Sequence, residues 1–376
     1  MCRKLFFLYF ETDMYLLTPK YQSMRILLIL CCVLTYFSVH ASLTDSIASK
    51  DPVHSKMKSR RATRLAAIRQ KRGLPMAKRT LKDRNGAIMR AAPIALGKNN
   101  FMHDNKALAL DKEGWKRLQK IGYNSVRICW VDPWFWREHK ESGKVTEIIP
   151  LLDKCVATAT ELGMNIIINY HDVGEYIKTN GFGSMEQFWS KIAPRYKDND
   201  LVYYELNNEQ TWNAEQYISD KFQRTMKRVY QKVRREAPQR QIILFSFNSL
   251  AYDCKRIVDS YSWIDWNYTT VGFHMYGAPN GNIKKEQEHF IKLIESYPVI
   301  CTEWDYLGAP FDNLPGHDEF PYIKRFFGSK VSAEILEATG ISWADWRGWN
   351  DATTNEYERI CVPHAKKFEY WWGVYE

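Results

Sequence analysis

Eight short β-rich runs, spaced by amphipathic helical stretches, constrain this chain more than any other feature of it. The runs cover residues 88–96, 125–131, 165–170, 202–206, 241–247, 271–276, 299–302 and 341–346. Within 213–236, Tyr217, Ile218, Phe222, Met226, Val229, Tyr230 and Val233 recur at helical spacing. Residues 112–121, 147–162 and 283–296 read the same way, and Gly163 and Pro238 fall where two of these helices should stop. Strands that alternate with helices pair in parallel, because a parallel connection needs a crossover. "NIIINY" and "QIILFSF" are apolar throughout, as parallel strands covered on both faces are. An open doubly wound sheet would carry a Gly-rich phosphate turn after its first strand; none is present, and Gly181-Phe-Gly183 reads as a loop. The pattern over 81–376 predicts one α/β domain, a (β/α)8 TIM barrel.

The residues before the barrel have a different character. Of the 376 residues, the first 80 hold 15 Lys and Arg against 4 Asp and Glu, whereas the remaining 296 hold 38 and 39. The net charge of +10 therefore belongs to the leader, and gives no support to nucleic-acid binding by the folded part. Residues 24–41, "MRILLILCCVLTYFSVHA", follow one Arg with an apolar run and end on small residues, which predicts a signal peptide over 1–41. Met24 is a second possible start, leaving 1–23 as an upstream extension. An uncleaved signal anchor is the competing reading, although the run is short for a membrane span. Between Lys56 and Arg79 lie ten basic residues and no acid, so 42–80 is expected to be a disordered linker, or a pro-segment cut at Arg69-Gln-Lys-Arg72 or Lys78-Arg79. Three of the eight Cys stand in the leader; Cys129, Cys155, Cys254, Cys301 and Cys361 remain, an odd number that defines no disulfide framework. No CxxC or HExxH spacing points to a metal, and no cofactor is expected.

Barrel chemistry sits at the C-terminal ends of the strands, so polar residues that end an apolar strand point into the site. "VYYELNNEQ" stops at Asn208 and Glu209, and "PVICTEWDY" at Glu303. Arg127 lies on 125–131, His171 follows 165–170, and "GFHMYG" supplies His274 and Tyr276. Two carboxylates on one rim suit glycoside hydrolysis, in which one protonates the leaving oxygen and the other attacks or activates water. At a separation of roughly 5 Å each would penalise the other's ionisation, and an Arg beside one would hold that one charged. Eight of the 14 Trp (Trp130, Trp134, Trp136, Trp212, Trp304, Trp343, Trp346 and Trp349) fall at or after strand ends, where indoles could pack on sugar rings. Trp115 and Trp189 sit in helical runs and read as core.

From about Leu81 onward the chain resembles glycoside hydrolase family 5, the cellulase family in the clan A of barrel glycosidases. The resemblance rests on "GYNSVRI", "NYHD", "YYELNNEQ", "GFHMYG", "VICTEW" and "SWADW", in that order. It implies that Glu209 is the acid/base and Glu303 the nucleophile of a retaining mechanism. It further implies that Asn208 contacts the sugar 2-OH, Tyr276 contacts the nucleophile, Arg127 keeps it ionised, His171 and His274 orient sugar and carboxylates, and Trp343 floors a subsite. Gln210 stands where the family commonly has Pro, and 85–100 match its pattern less well. Arg127 could equally pair with Glu205 inside the barrel, and Glu205 reads as structural. Asn267-Tyr-Thr269 is a glycosylation sequon placed before a strand, hence near the barrel bottom.

The expectation is a secreted, extracellular, monomeric endo-β-1,4-glucanase-like enzyme with a β-linked polysaccharide or oligosaccharide as its partner, no nucleic acid, and no membrane once the signal is cleaved. An endo-β-mannanase is the alternative within the same chemistry. A catalytically silent carbohydrate-binding protein on the same barrel, and a metal-dependent barrel hydrolase, rank below both.

Overall fold

In the computed structural model, residues 52–96, 109–120, 122–130, 145–276, 282–304 and 329–346 are described. The signal-like segment, Cys361, Trp134, Trp136 and Trp349 lie outside them. The strands are β1 (Arg79–Thr80), β2 (Arg90–Leu96), β3 (Ser125–Trp130), β4 (Asn165–Tyr170), β5 (Val202–Glu205), β6 (Ile242–Phe247), β7 (Thr269–His274), β8 (Pro298–Glu303) and β9 (Trp343–Ala344). The helices are α1 (Pro52–Arg72), α2 (Lys112–Lys120), α3 (Val145–Leu162), α4 (Glu175–Thr179), α5 (Gly183–Arg195), α6 (Ala214–Ile218), α7 (Asp220–Glu236), α8 (Cys254–Asp259), α9 (Ile283–Ser296) and α10 (Ser329–Thr339). The periodicity over 213–236 is divided between α6 and α7, because the Ser219 hydroxyl caps a new helix by accepting from Phe222 N–H.

β2 to β9 pair in parallel in chain order, and β9 joins both β2 and β8, which closes the (β/α)8 barrel. Alternate side chains take opposite faces. On β3, Val126, Ile128 and Trp130 face outward into the large core shared with the helices, where Trp115 and Trp189 are fully buried. Facing inward, Leu81, Met89, Ala91, Ile167, Tyr203, Ile243, Ile300 and Ala344 fill the barrel interior. Two residues beyond Ile167, Tyr203 and Ala344 come Asn169, Glu205 and Trp346, so these strands enter apolar and leave polar or aromatic. Among the described residues no helix is long and apolar enough to cross a membrane.

The basic stretch before the barrel is not a disordered linker over its whole length. The compact unit that contains the barrel begins at Arg61, ahead of the boundary expected at Leu81. α1 occupies the stretch, with Arg69, Lys71 and Arg72 in its last turn, where positive charge suits the helix dipole. Gly73, at φ 63°, ends it: Leu74 N–H reaches Arg69 O at 3.0 Å and Gly73 N–H reaches Gln70 O at 3.3 Å. The self-repulsion that argued for disorder is relieved by carboxylates and carbonyls distant in sequence. Arg61 Nη2 donates to Glu337 Oε2 at 2.6 Å, Arg69 Nη1 to Ala338 O at 2.7 Å and Arg72 Nη2 to Glu334 Oε2 at 3.3 Å. β1 then pairs with β8, Arg79 opposite Pro298 and Thr80 opposite Val299. Arg69-Gln-Lys-Arg72 thus lies in the last turn of α1, and Lys78-Arg79 straddles the start of β1.

Glu337 anchors this end of the molecule. It is 3% exposed, and Arg90 grips it with Nε at 2.8 Å and Nη2 at 2.9 Å. Burial works against its charge, but Arg90, Arg61 and the Trp343 indole N–H hold its carboxyl below the ordinary value. A carboxyl depressed by folding contributes stability above the unfolded value and loses it as pH falls through the folded one. Glu337→Ala is expected to cost about 2–4 kcal/mol at neutral pH, since it removes a buried carboxylate shared by Arg90 and Arg61 and takes that countercharge from both largely covered guanidinia. In calorimetric scans the gap from wild type should hold from neutral pH down to about 4.3 and narrow below it. An unchanged Tm would refute the anchoring role.

Candidate active site

Two irregularities in the barrel aim the central residues. β7 and β8 pair Phe273 with Cys301 but His274 with Glu303, so Thr302 is an extra residue in β8 that brings Glu303 opposite His274. After β5 the chain turns sharply, and Glu209 takes φ 33°, a left-handed conformation that a non-glycine residue keeps only when its surroundings enforce it. Here they do so with three hydrogen bonds. Gly174 N–H donates to Glu209 O at 2.9 Å, and Gln210 Nε2 donates to Asp172 O at 2.9 Å and Asn208 O at 3.0 Å. Gln210, buried where the resembling family has Pro, therefore fixes the turn through its side chain.

The carboxylates meet at His274. Its Nδ1 stands 2.7 Å from Glu209 Oε1 and 3.4 Å from Glu303 Oε2. One carboxylate oxygen from each Glu and a nitrogen of His274 all lie within 4.8 Å of one another, the only group with metal-donor spacing among the described residues. Burial opposes a charge on His274, but Glu303 and Glu209 raise its affinity for a proton above the ordinary value. Glu209 keeps 18% of its side chain exposed, whereas Glu303 keeps 5%.

Glu303 is held from three directions. Arg127 Nη1 donates to its Oε1 at 2.8 Å, Tyr276 Oη donates to its Oε2 at 2.9 Å, and His171 Nδ1 lies 3.8 Å from Oε1. Burial pushes its carboxyl up; His274 and Arg127 pull it back, and Glu209 adds to the rise, for a net shift above the ordinary value. The fully buried Arg127 makes three further bonds: Nε to Glu205 Oε2 at 2.6 Å, Nη2 to Glu205 Oε1 at 2.8 Å, and Nη2 to Asn208 Oδ1 at 3.0 Å. Arg127 thus pairs with Glu205 inside the barrel and with Glu303 at its rim at the same time. His171 bonds Asn169 Oδ1 at 2.7 Å, and burial, then Arg127 and His274, push it well below its ordinary value, so it stays neutral.

Trp343 does not floor a subsite. Its indole N–H donates to Glu337 Oε1 at 2.8 Å, and its ring meets Tyr123 and Trp304 edge-on in the outer core. Alternation along β9 turns 343 outward and 344 inward, which places Trp346 on the inner side. There it stacks on His171 with centroids 4.8 Å apart and lies 5.9 Å from the Arg127 guanidinium carbon. Trp130 also faces outward, stacked on Phe188, and Trp304 is fully buried. Of the described strand-end indoles only Trp212 is exposed, at 51%. Glu209, Glu303, Arg127, His171, Asn208, His274 and Tyr276 form one connected group. Sequence reasoning missed Ser246, whose hydroxyl donates to Glu205 Oε1 at 2.6 Å, and the Asn207 amide that bonds the backbone of Phe245; an apolar strand ending in Ser and an amide carries no motif.

Residues 93–352 match the family described as Cellulase (glycosyl hydrolase family 5). Endoglucanase MaCel5A of Microbulbifer sp. (strain ALW1) is 23% identical over 246 residues, which cover 63% of this chain and 43% of that protein. Endoglucanase A of Butyrivibrio fibrisolvens is 24% identical over 188 residues, 47% of this chain and 40% of that protein. The matches thus span about two fifths of the length of these curated relatives. The catalytic domain of the major endoglucanase from Xanthomonas campestris pv. campestris superposes with a TM-score of 0.54 at 17% identity, over 80% of this chain and 99% of that one, and so shares the fold.

The raised Glu303 carboxyl has a sign that can be checked. A carboxyl raised by folding favours the native state below its unfolded value and loses that contribution as pH rises through the folded one. Glu303→Gln should therefore be as stable as wild type or more so at neutral pH, with Tm up by at most about 4 °C. The difference should fade on acidification, when wild-type Glu303 is itself protonated. A Tm clearly below wild type at neutral pH contradicts this.

Proposed function

The chain belongs to the cellulase family, glycosyl hydrolase family 5, and from that premise we propose that it is a retaining endo-β-glycosidase acting on a β-1,4-glucan. One observation carries the mechanism: an oxygen of Glu209 and an oxygen of Glu303 lie within 4.8 Å of each other. Retaining glycosidases hold their carboxyls roughly 5–5.5 Å apart, whereas inverting ones leave room for a water at roughly 6.5–9.5 Å.

Glu303 attacks the anomeric carbon as Glu209 delivers a proton to the departing glycosidic oxygen. The bond to the leaving sugar breaks as the ester to Glu303 forms. Arg127 N–H and Tyr276 O–H hold the two Glu303 oxygens, so the attacking group is ionised and aimed before substrate arrives. Forming the ester removes the Glu303 charge from beside His274 and Glu209. Glu209, still bonded to His274, then takes a proton from water as that water attacks the anomeric carbon; the bond from that carbon to Glu303 breaks, Glu303 leaves as carboxylate, and the sugar is released with its configuration retained. Asn208 is fixed by Arg127 through Oδ1, which leaves its amide N–H groups to donate toward a sugar hydroxyl. Trp346 beside His171, and the exposed Trp212 beyond Glu209, offer apolar faces for pyranose rings. The names of the two curated relatives, both endoglucanases, favour glucan over mannan. The apolar segment at 24–41 supports secretion.

Reducing-end assays on soluble glucan, mannan and xylan test the substrate, with glucan expected to be cleaved fastest. Glu303→Gln should abolish turnover. Glu209→Gln should cost about 10²–10⁴-fold on glucan while sparing the first step on an aryl glycoside, whose leaving group needs no proton. Wild-type-like turnover in either variant excludes the assignment. The acid limb of kcat/KM should lie above about pH 4.3, because the buried nucleophile ionises late.

A further inference from the structure

We propose that Asn207 and Ser246 are positioning residues: Asn207 holds a bulge in β6, and the Ser246 hydroxyl it presents sets Glu205, which sets Arg127 and through it Glu303. The inference rests on Glu303 being the nucleophile.

β6 pairs Leu244 with Val271 but Phe247 with Phe273, so Phe245 and Ser246 oppose the single residue Gly272. Both bulge residues are left-handed, Phe245 at φ 79° and Ser246 at φ 38°, a conformation that costs a non-glycine residue free energy and needs a determinant. Asn207 supplies one. Its Nδ2 donates to Phe245 O at 3.0 Å and its Oδ1 accepts from Phe245 N–H at 3.2 Å, so one buried amide satisfies both backbone groups of the strained residue. An apolar residue at 207 would leave them unpaired in the core. Gly272 makes the room: a Cβ there would stand 2.8 Å from Ser246 Oγ and 2.9 Å from Ile243 Cγ2. In this conformation Ser246 Oγ donates to Glu205 Oε1 at 2.6 Å, on the same oxygen that accepts from Arg127 Nη2. Arg127 divides its charge between Glu205 and Glu303. Without the hydroxyl, Glu205 draws more fully on Arg127 and leaves Glu303 less of it. Glu303 is then aimed less firmly and ionises at higher pH.

The test is steady-state kinetics on soluble β-1,4-glucan, with pH profiles and Tm, for Ser246→Ala, Asn207→Leu and Gly272→Ala. Ser246→Ala is expected to keep KM within about twofold while kcat falls about tenfold to a hundredfold, with the acid limb of kcat/KM moved to higher pH. Asn207→Leu and Gly272→Ala should shift the limb the same way, the second without removing any hydrogen-bonding group, so it decides the matter if Ser246→Ala does not fold. In a Glu205→Gln background, adding Ser246→Ala should cost little further, because the hydroxyl acts through the charge that is gone. Unmoved profiles, or equal losses in both backgrounds, overturn the proposal while an active wild type leaves the catalytic assignment standing. A wild type that hydrolyses no glycan overturns both.

Discussion

The structure depends on a single buried cation. Arg127 is fully enclosed, and such a charge is tolerated only when its donors are satisfied and opposing charge stands against it. Glu205 takes two of its N–H groups, Glu303 one and Asn208 one. This sharing joins the scaffold to the chemistry. Glu205 compensates the guanidinium whatever the state of Glu303, so Glu303 can gain a proton or an ester without leaving Arg127 bare.

The barrel supplies geometry that ideal strands would not. Regular pairing would place Thr302 opposite His274; the extra residue in β8 puts Glu303 there. The bulge in β6 turns Ser246 inward, and the left-handed Glu209 lets the chain leave β5 with its carboxylate toward His274. Two of these departures are made stable by side-chain hydrogen bonds, the β6 bulge by Asn207 and the turn at Glu209 by Gln210. Amides suit this work because a single side chain can donate and accept at once.

The strand–helix alternation made the barrel legible from residue types, because parallel strands buried on both faces read as unbroken apolar runs. The structure brings seven of the expected site residues together for a related reason: polar groups that end such runs face the open end of the barrel. Trp343 was misread because "SWADW" offers two indoles three positions apart, and only the register of β9 against β2 and β8 decides which faces inward. The bulges were invisible because an extra residue in one strand is defined by its neighbour. The order in α1 was missed for want of the same long-range knowledge: its basic side chains are answered by Glu334, Glu337 and Ala338, far along the chain.

The first and last of the described strands share one edge of β8. β1 takes its lower part at Pro298 and Val299, and β9 its upper part at Cys301, while Ser342 N–H reaches Thr80 Oγ1 at 2.9 Å to knit the two together. On the ribosome β1 emerges before β9, so the growing cylinder remains an open sheet, with β2 and β8 lacking their closing partner, until β9 has been made. Closure therefore waits on the longest sequence separation in the barrel, and the seam sets both a slow late step in maturation and the interval in which nascent chains are most prone to stick to one another.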